Sequence, residues 1–118
     1  AIDTLKLSTT EEKDRLTLLL TGTAEFKTPE QLLGALVTVH KRAAELAVKE
    51  LRIELGGVDF MNSTGLGALV GLIGERQKDA KSRYIIHLVG NSARRWQRAS
   101  LHSLASFAPE TITVSFAP

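Results

Sequence analysis

Residues 51–66 read Leu51-Arg52-Ile53-Glu54-Leu55-Gly56-Gly57-Val58-Asp59-Phe60-Met61-Asn62-Ser63-Thr64-Gly65-Leu66. The change of pattern inside this stretch decides the fold. Leu51 to Leu55 reads as a strand, and Gly56 and Gly57 are taken as its end. Val58 and Asp59 lead into a helix expected over Ser63–Asp79, with capping side chains on offer at Asn62, Ser63 and Thr64. A strand that turns into a helix in this way is half of a parallel crossover.

The same alternation continues on both sides. Tyr84 to Val89 is a near-continuous apolar strand ending at Gly90. Asn91 or Ser92 is expected to cap a third helix through about Leu104, Pro109 breaks the chain, and Thr111 to Phe116 is a last strand. Toward the N-terminus, Leu16 to Thr21 reads as a buried strand ending at Gly22. Ile2 to Leu7 alternates like an edge strand, and Thr9 to Asp14 is its turn. Pro29 opens a helix behind Thr28 as N-cap. In that helix Leu32, Leu33, Leu36, Val37, His40, Ala43, Ala44 and Ala47 follow the 3.6-residue period, with Gln31, Thr38, Lys41, Arg42 and Glu45 opposite. His40 on the apolar side is read as a packed, hydrogen-bonded core histidine, since no second ligand sits at helical spacing. The order strand-strand-helix-strand-helix-strand-helix-strand predicts an α/β fold, a mixed sheet with helices packed mainly on one face. Residues 1–118 form a single domain on this reading. The carboxyl ends of the strands are where functional groups gather in such sheets.

Composition narrows the function. At 118 residues the chain buries roughly two-thirds of its unfolded surface, enough for a core without staples. It has no cysteine, which removes disulfides, thiolate metal sites and thiol catalysis. The histidines are scattered and no acidic cluster offers metal ligands, so no metal, no cofactor and no catalysis are expected. No apolar run approaches the roughly 18 residues of a membrane span. Residues 1–7 do not read as a signal peptide. The expected location is the cytoplasm, with no membrane partner. Because the first residue is Ala, either a start Met has been removed or the chain was cut from a longer protein. A net charge of +2 is too small to imply a polyanion. Arg94, Arg95 and Arg98 around Trp96 are read as a solvated helix face with the Trp packed inward, not as a nucleic-acid surface.

The chemistry lies at the helix start. The first N–H groups of a helix lack intrahelical partners, and the helix dipole favours negative charge there. A hydroxyl in this position caps the helix when unmodified. When phosphorylated, its phosphate meets free donors and adds nearly two negative charges at a surface turn. Plain N-capping needs only one of Asn62, Ser63 and Thr64, so capping and modification both stand at this point. Beyond the turn, Gly67, Gly71 and Gly74 share a stripe, at a cost of roughly 1 kcal/mol each against Ala. That smooth stripe either packs on the neighbouring helix or receives a partner. Leu66, Leu69, Val70 and Ile73 form the stripe expected to face the sheet.

The strand, the Asp59 turn, Met61-Asn62-Ser63-Thr64-Gly65-Leu66 and the glycine-containing helix resemble the STAS family, which includes anti-sigma factor antagonists and the cytosolic domains of sulfate transporters. The element order of the whole chain agrees with that family, while the specific part is about residues 56–74. The resemblance implies a regulatory protein-binding module. In the bacterial antagonists a switch kinase phosphorylates the serine that opens this helix, which is Ser63 here, with Thr64 the neighbouring alternative. It also implies protein partners, namely an anti-sigma factor that is itself the serine kinase, and a phosphatase. The implied contact surface is Glu25, Asp59, Met61, Asn62, Ser63, Thr64, Gly65, Gly67 and Gly71. The family antagonists carry Asp before the switch serine, where this chain has Asn62. They often carry a Gly-x-Leu/Ile-Asp turn where this chain has Gly22-Thr23-Ala24-Glu25.

Three other readings stand beside the switch. A serine hydrolase elbow needs glycines two residues either side of Ser63; Gly65 fits and Met61 does not. Only His87 and His102 follow the serine, and Asp79 is the only later aspartate. A dinucleotide fingerprint is suggested by Gly65-Leu66-Gly67 and Gly71, but no acid ends the Tyr84–Val89 strand. In the third, the domain is a non-phosphorylated scaffold or adaptor in a signalling or transport-associated complex, with Ser63 only capping its helix.

Overall fold

The computed structural model describes residues 5–117. The elements run β1 Leu5–Glu11, β2 Arg15–Ala24, α1 Glu30–Leu46, β3 Glu50–Met61, α2 Ser63–Lys78, β4 Ile85–Asn91, α3 Arg95–Ser106 and β5 Ile112–Ala117. The five strands form one sheet in the order β1-β2-β3-β4-β5. β1 is antiparallel to β2, and the other pairs are parallel. Three right-handed crossovers that step the same way across the sheet put all three helices on one face. Burial alternates accordingly. Leu16, Leu18 and Leu20 of β2 and Leu51, Ile53 and Leu55 of β3 are fully buried under the helices. Thr17, Arg52, His87 and Thr113 align across four strands on the other face, where the His87 ring lies between the Thr113 and Ser115 hydroxyls.

Five features differ from the sequence expectation, each for a local reason. β2 does not end at Gly22 but runs on to Ala24, paired there to Met61 of β3. The edge strand reaches Glu11, with Glu11 paired to Leu16, so Thr9 and Thr10 are strand and not turn. An edge strand with an exposed side carries polar, β-compatible residues without penalty. The expected positions 2–4 lie outside the described residues. Gly56 and Gly57 do not end β3. They end its pairing with β4, which stops at Glu54–Val89, while pairing with β2 continues to Met61–Ala24 through register shifts. A Cβ on Gly57 would lie 2.9 Å from Thr21 Cγ2, so the close approach of the two strands is what the glycine permits. Thr28 makes no side-chain cap. Instead the Gln31 carboxamide accepts from the Lys27 and Thr28 N–H groups at 2.7 and 3.2 Å, which is the reverse arm of a capping box. Asn91 lies in β4 and accepts from the Ala93 N–H in an Asx turn, so α3 starts later, at Arg95.

α1 buries Leu32, Leu36, Val39, His40 and Ala43. His40 is indeed a core histidine. Its Nδ1 meets the Tyr84 hydroxyl at 2.6 Å and its Nε2 meets Asp79 at 3.2 Å, joining α1 to the α2–β4 turn. The Ser82 hydroxyl, then the Lys81 N–H and His40, hold the Asp79 carboxyl below the usual range. Burial pushes the Tyr84 phenol up.

Candidate functional site

Residues 55–61 of β3 project past the last β3–β4 pair at the carboxyl edge, supported on one side only by β2. This overhang carries the site. Asp59 is exposed, and its Oδ1 accepts from the Thr23 hydroxyl at 2.8 Å. Phe60 is 46% exposed, a large apolar side chain left in solvent. Met61 turns inward to 4% exposure and lies beneath the first turn of α2. A Cβ on Gly65 would come within 2.8 Å of Met61 Cγ, so the turn can sit on the methionine only with glycine there.

Asn62 makes the transition. Its N–H donates to Ala24 O at 3.0 Å, the last rung toward β2. Its Oδ1 accepts from the Gly65 N–H at 2.9 Å, capping α2, and its Nδ2 donates to Phe26 O at 2.9 Å. An aspartate would serve the first of these side-chain bonds but has no proton for the second. The asparagine thus ties the helix start to the β2–α1 connection, where exposed Glu25 follows the Ala24 carbonyl.

Because Asn62 is the cap, Ser63 is not. Ser63 is exposed and Thr64 half-buried, and neither hydroxyl has a hydrogen-bond partner among the described residues. The Ser63 and Thr64 N–H groups are unpaired there as well, and no acidic residue lies in the first turn of α2.

The glycine stripe divides. Gly71 receives Leu33 of α1, whose Cδ1 would be 2.8 Å from a Cβ there. Gly74 faces open space, and nothing in the structure requires glycine at it. Gly67 lines a groove of about 380 Å³ between α2 and α3. Ser63, Leu66 and Val70 form the α2 wall with it, and Ser100, Ser103 and Leu104 stand opposite. Phe107, 60% exposed, closes the far end. Leu66 and Val70 line this groove and are only partly buried, contrary to the expectation that they face the sheet. Ala68, Leu69, Leu72 and Ile73 are the buried face. The sequence reading missed Phe60, Phe107 and this groove. The available signal was bulky apolar residues standing outside the buried stripes.

The start of α3 buttresses the overhang. Gln97 is fully buried. Its Nε2 donates to Leu55 O and Val58 O at 2.6 and 3.0 Å, and its Oε1 accepts from the Asn91 N–H at 2.7 Å. Arg94 Nε donates to Gly56 O at 2.8 Å. Of the basic cluster, Arg94 is thus engaged with β3, Arg95 and Arg98 are exposed, and Trp96 packs against the core.

No hydrolytic triad forms around Ser63. His87 faces the open side of the sheet, His102 stacks near Phe116, and Asp79 holds His40. Two glycines of the nucleotide-like run, Gly65 and Gly71, are occupied by Met61 and Leu33. Among the described residues no group of three or more His, Asp or Glu is placed to hold a metal ion, and no helix is long and apolar enough to cross a membrane.

Structural comparison finds the same fold in an anti-sigma factor antagonist from Mycobacterium paratuberculosis. The TM-score is 0.66 at 19% identity, over 100% of this chain and 89% of that one. The antagonist SpoIIAA in its unphosphorylated form gives 0.59 at 17% identity, over 97% and 89%. The Bacillus cell fate determinant SpoIIAA in its phosphorylated form gives 0.58 at 17%, over 94% and 90%. No curated protein sequence matches the chain. Residues 7–112 match the profile of the STAS domain, nearly the whole length that folds around the overhang, and the chain belongs to the STAS domain family.

Proposed function

We propose that this protein is a phosphorylation-switched binding module of the anti-sigma factor antagonist type. Its partner is an anti-sigma factor that acts as a serine kinase on Ser63, with a phosphatase to reset the switch. One observation carries the reading: the Ser63 hydroxyl is exposed and unbonded at a helix start already capped by Asn62. Capping therefore does not account for the serine. Two unpaired N–H groups and the helix dipole stand ready for a phosphate there.

The contact surface comprises Glu25, Asp59, Asn62, Ser63, Thr64 and Gly67, together with exposed Phe60 and the groove along Leu66 and Val70. Met61, Gly65 and Gly71 serve it from beneath by setting the turn and the seat of α2. A phosphate adds nearly two charges beside an apolar groove, which disfavours a partner that must desolvate that groove.

Intact-mass measurement of the protein from its native cells tests this. One added phosphate is expected, retained in Thr64→Ala and absent in Ser63→Ala. A single unmodified mass under every growth condition would leave the scaffold reading in its place.

A further inference from the structure

A second cavity, of about 310 Å³, lies at the opposite edge of the sheet, where the chain leaves α1 and α2 to enter β3 and β4. The two entrances run side by side, with the Ile85 N–H donating to Lys49 O at 2.9 Å. The floor is built of small apolar groups, Ala43, Ala44 and Ala47, with Val48. One wall is Tyr84, whose hydroxyl is taken by His40. Lys49, Lys81 and Arg83 stand at the rim, all three exposed, and no carboxylate lines the cavity.

Unpaired cations stand elsewhere on the surface too, Lys13, Lys41, Arg95 and Arg98 among the described residues; what sets these three apart is that they line one cavity. Arg15, Arg42, Arg52 and Lys78 each lie against a glutamate. Lys49, Lys81 and Arg83 have no side-chain partner among the described residues. The nearby Asp79 carboxylate is held by the Ser82 hydroxyl, the Lys81 N–H and His40. Three like charges around an apolar hollow repel one another, and an anion placed among them relieves that repulsion. An apolar lining with a few convergent polar groups is the usual make-up of a small-molecule site, and this volume is at the lower end of the range for one.

We propose that this cavity binds a small amphiphilic anion. Its carboxylate or phosphate head is met by Lys49, Lys81 and Arg83, and its short apolar body rests on Ala43, Ala44 and Ala47. Ser63 stands at the far end of α2, about 24 Å away along a helix of 16 residues. The site is therefore independent of the phosphorylation reading.

Amide-resolved NMR titration of the isotope-labelled full chain tests the proposal, with sodium hexanoate and hexyl phosphate as the anions and 1-hexanol as the neutral control. Saturable shifts at Ala47, Lys49, Lys81 and Arg83 are expected with at least one anion, and none with hexanol. Lys81→Glu combined with Arg83→Glu should weaken binding by about ten-fold or more. Ala44→Leu keeps every cation and suits a helix, but it fills the floor and should abolish binding while the spectrum stays folded. The proposal fails if neither anion saturates, if hexanol binds as well, if the shifts cluster around Ser63, or if the double charge reversal leaves the affinity unchanged.

Discussion

Of the three connections that leave the carboxyl edge of the sheet for a helix, β3 into α2 and β4 into α3 are secured in opposite ways. At α3 the first turn reaches back into the sheet. Gln97, fully buried, satisfies two carbonyls of β3 and one N–H of β4, and Arg94 takes a third carbonyl. At α2 the cap serves its own helix and one neighbouring loop through Asn62, and the next side chain, Ser63, is left with nothing to hold. The α3 junction is therefore an anchor, and the α2 junction is a platform fixed one residue before the group it displays. A switch needs that separation, since a hydroxyl that also held the fold could not change its charge without cost to the structure.

The contrast is open to direct challenge, and the largest effect is expected at the anchor. Gln97→Ala strands two carbonyls and an N–H in a dry environment and leaves a void, so a loss of about 3 kcal/mol is expected by urea unfolding. A loss under 1 kcal/mol would mean that α3 does not hold the overhang. Asn62→Ala removes the cap and the Phe26 tie, and about 1–2 kcal/mol should go. Asn62→Asp isolates the second of these bonds. It keeps the acceptor, gains from the helix dipole and loses the donor to Phe26 O, so a net change within about 1 kcal/mol is expected. Chemical shifts of Phe26 and Lys27 should move in this variant even where stability does not. The smallest effect belongs to Ser63→Ala, within about 0.5 kcal/mol, as for a surface substitution that breaks no bond. A loss as large as that of Asn62→Ala would place the cap on the serine and remove the basis for the switch.

Much of this was readable from the sequence. The helical period placed α1, capping residues and breakers placed α2 and α3, and short apolar runs bounded by glycines placed the parallel strands, because buried segments keep their apolar residues. The helix start at Ser63 came from its polar trio and from family resemblance. What escaped depended on pairing partners. Gly56-Gly57 looks like a strand end in one dimension, and only the neighbour β2 shows that the strand continues past β4. Asn62 could be read as a cap, but its donor to Phe26 crosses 36 positions. Gln97 reads as an ordinary polar residue on a basic helix until the exposed carbonyls of the β3 overhang are set beside it. The α2–α3 groove was hidden because Leu66 and Val70 have the same residue types as the buried stripe and differ only in what lies opposite.

The overhang has one more consequence, for length changes. Its placing of Phe60 outward, Met61 inward and Asn62 at the cap depends on a fixed count of residues from the last β3–β4 rung at Glu54. A single inserted residue between Gly57 and Asp59 would invert that phase, sending the aromatic into the core and the thioether into solvent, and would lift the serine off its platform. The segment can absorb many changes of side chain and very few changes of spacing. Grafting a foreign epitope or tag into this turn is accordingly expected to fail, whereas the exposed hairpin tip at Glu12 and Lys13, ahead of the Asp14 carbonyl that accepts from the Lys49 and Glu50 N–H groups, should accept one.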